Sequence, residues 1–420
     1  MRRHLPVSVK VLERLGLVAV GLVALACGGD ARDPVDCRTV EIADPVLEAW
    51  VRAEIDVPDG PIPGGAVSAI YSAYLGGVDG LVDLGGIECF TGLRSLYLGN
   101  VAGLVDLGPL AQVAELERLE FTGSQVTDLR PIAGLVHLRG LSVPNNPIAH
   151  LTPLSGLTEL DVLDISGTQV ADLSPIAGLP KVSAVIMQGT PPDSIEPLAS
   201  LISLRVLDLS GCDVRDATPI AALPDLLVLS LRDNPELTSL DFATTLPSLR
   251  DLHVGRTSVV DLTPMAEVPT LEELDLYDTQ VADLSPLVGH PRLTSLNVSH
   301  TRIADLALVA GIAGLKSIYA AGDHLVDVSP IVGHAELAVV DISDNDITSL
   351  APLADVAWQY CGTLVTNGNP LDAASSEDVL PALCDRHVIV ESDDGDCWPP
   401  SCWPGPGEPP DAAGRAARGR

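Results

Sequence analysis

Aliphatic residues return along this chain at a fixed spacing, and polar residues separate them in the same way in each copy. In LDVLDISGTQVADLSPIAGL, which starts at Leu160, the first, fourth and sixth positions are apolar, and a second apolar group surrounds Leu173. The first position recurs every 22 residues, with two steps of 23, and is occupied by Leu93, Leu116, Leu138, Leu160, Val182, Leu204, Leu226, Leu249, Leu271, Leu293, Leu315 and Leu337. A constant period of this length is typical of a solenoid.

Two weaker copies extend this array, one starting at Ile70 and a closing one at Cys361. The repeats are therefore expected to cover residues 70–372 in about fourteen turns. No single copy can bury its own apolar stripe, whereas stacked copies bury one another's, so the array is expected to fold as one body.

Each copy combines two periodicities. The alternation around Leu163 and Ile165 predicts a half-buried strand. The Ser174-Pro175 pair is typical of a helix N-cap followed by proline at the first helical position. The ninth position is expected to hydrogen-bond the backbone where the chain leaves the strand. It is occupied by Asn146, Thr168, Thr190, Cys212, Asn234, Thr257, Thr279, Thr301, Asp323, Asn345 and Asn369.

Aspartates form a column at the thirteenth position: Asp128, Asp172, Asp216, Asp261, Asp283, Asp305 and Asp327. Calcium binding is one interpretation, but calcium usually takes six or more oxygens that converge from one loop. The column supplies one carboxylate per turn. We therefore favour local hydrogen bonds from backbone N–H groups before each helical return, and we predict no metal site.

The pattern L-x-x-L-x-L-x-x-N, followed by D-L-x-P-L, resembles the 22-residue leucine-rich repeat of bacterial internalins. The resemblance implies an α/β solenoid with a concave parallel β-sheet and short 3-10 or α-helical returns on the convex side. It also implies a helical N-terminal cap, expected at 38–69, and a C-terminal cap at 373–392. The acidic and proline-rich residues 393–420 are predicted to form a disordered tail.

The first 26 residues are typical of a bacterial signal peptide, because Arg2, Arg3 and Lys10 precede an apolar run that is short for a membrane span. The run ends in VALACGG, which resembles a lipobox with Cys27 as the lipidated residue. Residues 27–37 would form the tether. Gly28 after the cysteine favours an outer-membrane or surface lipoprotein by the same resemblance. Ala24-Leu25-Ala26 also fits cleavage and simple secretion, so a secreted or periplasmic protein is the alternative.

Seven cysteines follow Cys27, and pairing is expected in an exported chain. Cys37 with Cys89 would fix the cap to the array, Cys361 with Cys384 would close the other end, and Cys397 with Cys402 would close a small loop, although spacing does not determine connectivity. Cys212 lies at a ninth position and is expected to be a buried corner residue. The net charge of −33 disfavours nucleic acid and anionic membrane surfaces as partners.

The third, fifth and seventh positions point away from the buried leucines and form one long surface. Most of it carries small residues. The exception is a candidate ligand-binding patch from four consecutive copies: His253, Arg256, Tyr277, Asp278, Asn297, His300 and Tyr319. Aromatic and arginine side chains are enriched in binding hot spots. Tyr97 stands alone nearer the start.

No nucleophile elbow, zincin helix, phosphate loop or dinucleotide fingerprint is present, so we predict no enzyme and no cofactor. The sequence favours a monomeric binding module that holds a protein or other ligand on the concave face. The alternative is an envelope scaffold without a discrete ligand, whose outer surface would be uniformly featureless.

Overall fold

The structure is a computed structural model, and it describes residues 36–76 and 80–402. The chain divides into two compact units, Met1–Ser230 and Leu231–Arg420. The predicted leader, Cys27 and the residues after Cys402 lie outside the described residues. Within the described part of the chain, no helix is long and apolar enough to cross a membrane.

The first unit begins with a small mixed segment. Strand β1 (Thr39–Val40) pairs antiparallel with β2 (Ile62–Pro63), and helix α1 (Pro45–Glu54) lies between them in the chain. The one-turn helix α2 (Gly64–Val67) follows β2. Helix α1 buries Leu47 and Val51, which are one turn apart and therefore lie on one face.

Asp44 connects α1 to the first repeat. One carboxylate oxygen accepts hydrogen bonds from the N–H groups of Val46 (2.8 Å) and Leu47 (3.1 Å), and so caps the helix. The other accepts from Val82 (2.8 Å) and Asp83 (3.1 Å). Burial acts to raise the pKa of Asp44, but these four N–H groups outweigh it and lower the pKa below the usual value.

Eight parallel strands follow in the first unit: β3 (Ser72–Tyr74), β4 (Ser95–Asn100), β5 (Arg118–Thr122), β6 (Gly140–Ser142), β7 (Val162–Asp164), β8 (Ala184–Ile186), β9 (Val206–Asp208) and β10 (Val228–Ser230). Each pairs with the next in the register set by the repeat, so Leu141 lies opposite Leu163. The 3-10 returns of this unit are Ile87–Cys89, Gly108–Gln112, Arg130–Ile132, Thr152–Leu154, Ser174–Ile176, Glu196–Ser200 and Thr218–Ala222.

The second unit contains seven parallel strands: β11 (Asp251–His253), β12 (Glu273–Asp275), β13 (Ser295–Asn297), β14 (Ser317–Tyr319), β15 (Ala335–Asp341), β16 (Ala357–Val365) and β17 (Ile389–Glu391). A π-helical turn, Ser375–Val379, and helix α3 (Leu380–Asp385) connect β16 to β17. The 3-10 segments are Asp241–Thr245, Thr263–Glu267, Ser285–Leu287, Val309–Gly311, Ser329–Ile331, Ala351–Asp355 and Pro400–Cys402.

The core of each unit is the stack of repeat leucines. Leu160, Leu163 and Ile165 are 0% exposed, as are their counterparts in most copies. Burying a side chain of this kind stabilises a protein by about 1.5–3 kcal/mol. The expected strand, corner and helical return are therefore present in the described copies.

The ninth position bonds the backbone, as expected. The Thr168 hydroxyl donates to the Ile165 carbonyl (2.7 Å). Asn146 does more, because its amide nitrogen donates to the Val143 carbonyl (2.8 Å) and its oxygen accepts from Ser124 N–H in the preceding copy (2.7 Å). An asparagine in this position therefore links two neighbouring turns.

The aspartate column caps the helical returns. The Asp172 carboxylate accepts the Ser174 N–H at 2.8 Å, and the other six members make the same bond two residues ahead, at 2.8 to 2.9 Å. The prediction of local backbone bonds is confirmed. The prediction that Ser174 is the N-cap was wrong, since Leu173 occupies that place and Asp172 supplies the acceptor. In the described part of the chain, no group of His, Cys, Asp or Glu is arranged to hold a metal ion.

Three disulfides form among the residues that the structure describes, and only the first matches the expected pairing. Cys37 bonds Cys89, with a Cα–Cα distance of 5.4 Å. Cys361 bonds Cys402 (Cα–Cα 5.4 Å), and Cys384 bonds Cys397 (Cα–Cα 6.1 Å). The expected pairs Cys361–Cys384 and Cys397–Cys402 were therefore wrong.

The reason for the different pairing is an additional strand. After α3, β17 joins β16, and Cys397 then forms an antiparallel bridge with Val390, which brings it beside the helix that carries Cys384. Residues 393–402 are thus bonded to the end of the repeats, in contrast to the disorder expected for them. The Cys212 thiol is buried and donates to the Met187 carbonyl, as its corner position predicted.

Candidate functional site

All seven residues of the predicted patch lie in the second unit. Three of them come from one row of the sheet. His253, Asn297 and Tyr319 occupy fifth positions of β11, β13 and β14, and Asp275 of β12 lies between the first two. The other four members, Arg256, Tyr277, Asp278 and His300, follow the strands at seventh and eighth positions.

His253 is buried, with 5% exposure, so it is not part of an accessible surface and this assignment is corrected. The cause is a polar cluster. The Arg232 guanidinium bonds the Asp275 carboxylate at 2.5 Å and lies 3.3 Å from Nδ1 of His253. Glu273 lies 3.9 Å from the same nitrogen. The His253 imidazole and the Arg232 guanidinium therefore belong to one polar cluster that joins neighbouring copies.

The accessible centre of the patch is a stack of three side chains. The Arg256 guanidinium lies over the Tyr277 ring, 5.2 Å from its centroid, and the His300 ring meets the edge of Tyr277 at 5.4 Å and 86°. Arg256 also pairs with Asp233 (3.3 Å) and Asp278 (3.7 Å). Hydrogen bonds with Tyr277 and Asp233 raise the pKa of Arg256, so its charge is retained. We name Arg256, Tyr277 and His300 the Arg-Tyr-His stack.

The backbone at the eighth position is left-handed in most copies, with glycine at Gly123, Gly167, Gly189, Gly211, Gly322 and Gly368. Arg256 (φ 56°) and His300 (φ 57°) adopt the same conformation although they carry large side chains. Such a residue costs about 1–2 kcal/mol relative to glycine. Asn145, Asp233, Asp278 and Asp344 share this backbone conformation at the eighth position, but asparagine and aspartate adopt it more easily. Strain of this kind occurs preferentially at functional sites, so the larger Arg256 and His300 side chains support the stack as a candidate site.

Asn297 and Tyr319 have partly structural roles. The Asn297 side chain accepts the Ser299 N–H (3.0 Å), and Asp275 makes the equivalent bond to Tyr277 N–H (3.0 Å). Tyr319 is half-buried, and burial together with the carboxylates of Glu273 and Asp341 raises the pKa of its phenol. The phenol therefore stays neutral at physiological pH.

A second aromatic cluster, in the first unit, was missed by sequence reasoning. Tyr97 does not stand alone, because Tyr74 on β3 stacks against it with ring centroids 4.2 Å apart and an interplanar angle of 19°. Arg94 lies over the ring of Tyr71 at 5.6 Å. The repeat frame contained the information needed to predict this pair. When the weak copy at Ile70 is aligned with the next copy, Tyr74 and Tyr97 both occupy fifth positions and lie opposite each other.

The comparisons with known proteins identify the fold. A family model described as Leucine Rich repeat matches residues 200–217. An internalin of Listeria monocytogenes is 23% identical with a TM-score of 0.60, and the match covers 83% of this chain and 95% of that one. A leucine-rich repeat protein of Leptospira interrogans is 18% identical with a TM-score of 0.64, over 78% of this chain and 91% of that one. No curated protein sequence matches.

A plant peptide hormone receptor, solved in complex with RGF2, is 16% identical with a TM-score of 0.50. That match covers 77% of this chain and 64% of the receptor. At these identities the likeness concerns the fold, and the predicted leucine-rich repeat solenoid is confirmed.

Proposed function

We propose that the protein is a non-enzymatic binding module that holds a protein partner on the outer face of its repeat sheet. The observation that carries the proposal is the Arg-Tyr-His stack. Arg256 and Tyr277 are already held in contact before any partner arrives. Binding to a preorganised surface costs less side-chain entropy than binding to a mobile one.

The chemistry of the stack fits a protein partner. Tyrosine and arginine are the residue types that most often dominate interface energies. Carboxylates at Asp233 and Asp278 surround the stack, so the complementary surface would carry donors or positive charge. The plant receptor of the same fold, solved with RGF2 bound, supports a binding role in general terms.

We also propose export and lipid anchoring. The supporting observations are the three disulfides, which persist in oxidising compartments, and the VALACGG sequence before the tether. In this proposal residues 1–26 are removed, Cys27 is lipidated, and the array is displayed on the outer membrane or cell surface. Residues 38–69 and 373–392 act as the two caps of the array at 70–372.

Replacing Cys27 with serine tests the anchor. Metabolic labelling with palmitate should label the wild-type protein and not Cys27→Ser, and the variant should leave the membrane fraction. Protease treatment of intact cells then tests display. Release of array peptides supports a surface position, and protection until the outer membrane is opened contradicts it.

Replacing Tyr277 with alanine tests the binding site. The immobilised wild-type protein is exposed to an envelope extract of its own cells or to host material. The proteins that it retains are identified, and their affinity for it is measured. A loss of about 2 kcal/mol or more, roughly thirtyfold, is expected for Tyr277→Ala. Tyr360→Ala removes an exposed ring elsewhere in the same unit and should leave affinity unchanged. Equal affinities of all three proteins would contradict the assignment.

A scaffold without a discrete ligand is the competing proposal. A scaffold would have an outer sheet face without a cluster of residues suited to binding. The Arg-Tyr-His stack is such a cluster, so it argues against the scaffold proposal. The scaffold proposal predicts that no envelope or host protein binds with specificity.

A further inference from the structure

The first unit carries exposed aromatic rings that the packing of the fold does not require. Tyr74 is 65% exposed and Tyr71 is 59% exposed. Tyr97 is half-buried and stacks against Tyr74. The chain has six tyrosines, and three of them lie within these two neighbouring copies. Because Tyr97 covers one face of the Tyr74 ring, the opposite face of that ring remains open to solvent. We name Tyr74 and Tyr97 the tyrosine platform.

A free cation lies next to the platform. Arg118 is exposed on β5, the strand beside Tyr97, and it forms no ion pair within the described residues. Arg94, in contrast, is engaged by Glu117 at 2.5 Å. The Arg118 guanidinium is therefore available to donate hydrogen bonds to a ligand that rests on the platform.

A shallow polar groove of about 350 Å³ lies farther along the same unit, where the chain leaves β5, β6 and β7. It is lined by Gly123, Ser124, Gln125, Asn145, Asn146, Pro147, Gly167 and Gln169. The lining contains no aliphatic or aromatic side chain apart from the proline ring. It therefore lacks the apolar centre of a protein-docking hot spot.

Three amide side chains of the groove have unused hydrogen-bonding capacity. Gln125, Asn145 and Gln169 are exposed, and their amides form no hydrogen bond within the described residues. The Asn146 side chain, by comparison, already forms hydrogen bonds where the chain leaves the strand. Each free amide offers donors and acceptors in one plane, which matches adjacent hydroxyl groups of a sugar ring.

The glycine at position 167 keeps this groove open. Its φ is +61°, and a Cβ there would lie 2.5 Å from Oδ1 of Asn145. Any larger residue would displace the Asn145 amide. The backbone thus supports an arrangement in which the amide remains directed toward solvent.

The tyrosine platform on β3 and β4 and the groove beside β5 to β7 occupy consecutive strands of one unit. With strands about 4.8 Å apart, β3 to β7 span roughly 19 Å. A short oligosaccharide covers this span. Aromatic faces for stacking, together with planar amides for hydroxyl groups, form a surface suited to a polyhydroxylated ligand and less suited to an apolar one.

We infer that the first unit binds a neutral oligosaccharide, with one sugar stacked on Tyr74 and later sugars hydrogen-bonded by Arg118, Gln125, Asn145 and Gln169. The net charge of −33 selects against polyanionic glycans, because the field of the whole molecule repels them. This site is separate from the Arg-Tyr-His stack, and its test does not depend on the protein partner proposed above.

The test is saturation-transfer NMR and calorimetry on the full-length protein, with neutral pentasaccharides as probes: β-1,4-linked N-acetylglucosamine, β-1,4- and α-1,4-linked glucose, β-1,4-linked xylose and α-linked mannose. At least one probe should bind, with the largest transfer to ring protons of a single sugar. Tyr74→Ala should weaken this binding about tenfold, which corresponds to about 1.4 kcal/mol. Asn145→Ala should weaken it several-fold.

Tyr277→Ala is the matched control, because it removes a tyrosine from the outer face of the other unit and should leave sugar affinity unchanged. Circular dichroism verifies that each variant is folded. The inference is overturned if no probe binds at about 10 mM. It is also overturned if a probe binds equally well to wild type and Tyr74→Ala, or if Tyr74→Ala abolishes binding of a protein while no sugar binds.

Discussion

The most specific stability prediction concerns Asp323, because this carboxylate occupies a repeat position that carries an asparagine amide in several other copies. It occupies the ninth position, where the next copy has Asn345. One Asp323 oxygen accepts the Thr301 N–H at 2.6 Å, but Oδ2 is buried and has no hydrogen-bond partner. In the next copy, the Asn345 amide nitrogen donates to the carbonyls of Ala320 (2.7 Å) and Ile342 (3.0 Å). Oδ2 of Asp323 can donate a comparable hydrogen bond only when the carboxyl group is protonated.

Burial accordingly raises the pKa of Asp323 from 3.8 to about 6, against the lowering effect of the Thr301 hydrogen bonds. The folded state then holds its proton more tightly than the unfolded state. Stability from this group is present below the unfolded pKa of 3.8 and is lost as the pH rises through about 6. The loss at neutral pH is about 3 kcal/mol, at 1.36 kcal/mol for each unit of pKa difference.

Asp323→Asn supplies the missing donor at every pH. We expect the variant to be about 3 kcal/mol more stable than wild type at pH 7.5 and nearly equal to it at pH 4. Urea denaturation followed by circular dichroism at both pH values measures the difference. Asp305→Asn makes the same chemical change at an exposed position and should alter stability by less than about 0.5 kcal/mol. A destabilised Asp323→Asn, or a gain that is equal at both pH values, would refute this account of the Oδ2 environment.

Three further predictions follow from single side chains. Asp172→Ala should lower the urea midpoint, because the Ser174 N–H loses its cap. Hydrogen bonds from the Ser174 side chain and N–H lower the pKa of Asp172, so the effect should disappear in acid, where this carboxylate becomes protonated. His334 is 2% exposed, and burial lowers its pKa, so this residue should destabilise the folded state as the pH falls below 6.5, opposite in sign to the effect of Asp323. His334→Leu should remove this contribution in the same denaturation assay. Burial raises the pKa of Cys212 to about 12, so its thiol should not react with a disulfide reagent at pH 8 until urea unfolds the protein.

The repeat frame was predictable because each strand follows from a local period. The leucine spacing predicted a strand around Leu163 and Ile165 without any knowledge of its neighbours, and β7 spans Val162–Asp164. The function of Asp172 was predictable for the same reason, since its partner lies two residues ahead. The short range of both interactions is the physical basis of this success.

Interactions between copies were less predictable. Residue types alone did not show that Arg232 would contact His253, because the contact joins different turns. The stacking of Tyr74 on Tyr97 was missed because the first copy matches the repeat weakly. Cys361 pairs with Cys402 instead of Cys384 because β17, which no repeat period predicted, redirects the end of the chain.

The central claim is that the outer sheet face of the second unit, at the Arg-Tyr-His stack, holds a partner. A photo-reactive phenylalanine analogue placed at position 277 on living cells tests it most directly, with the same analogue at position 260, where Val260 is 57% exposed, as the matched control. The account predicts one discrete cross-linked product from position 277, absent from position 260 and lost when Arg256 is changed to alanine. No product from position 277, or the same product from both positions, would contradict it.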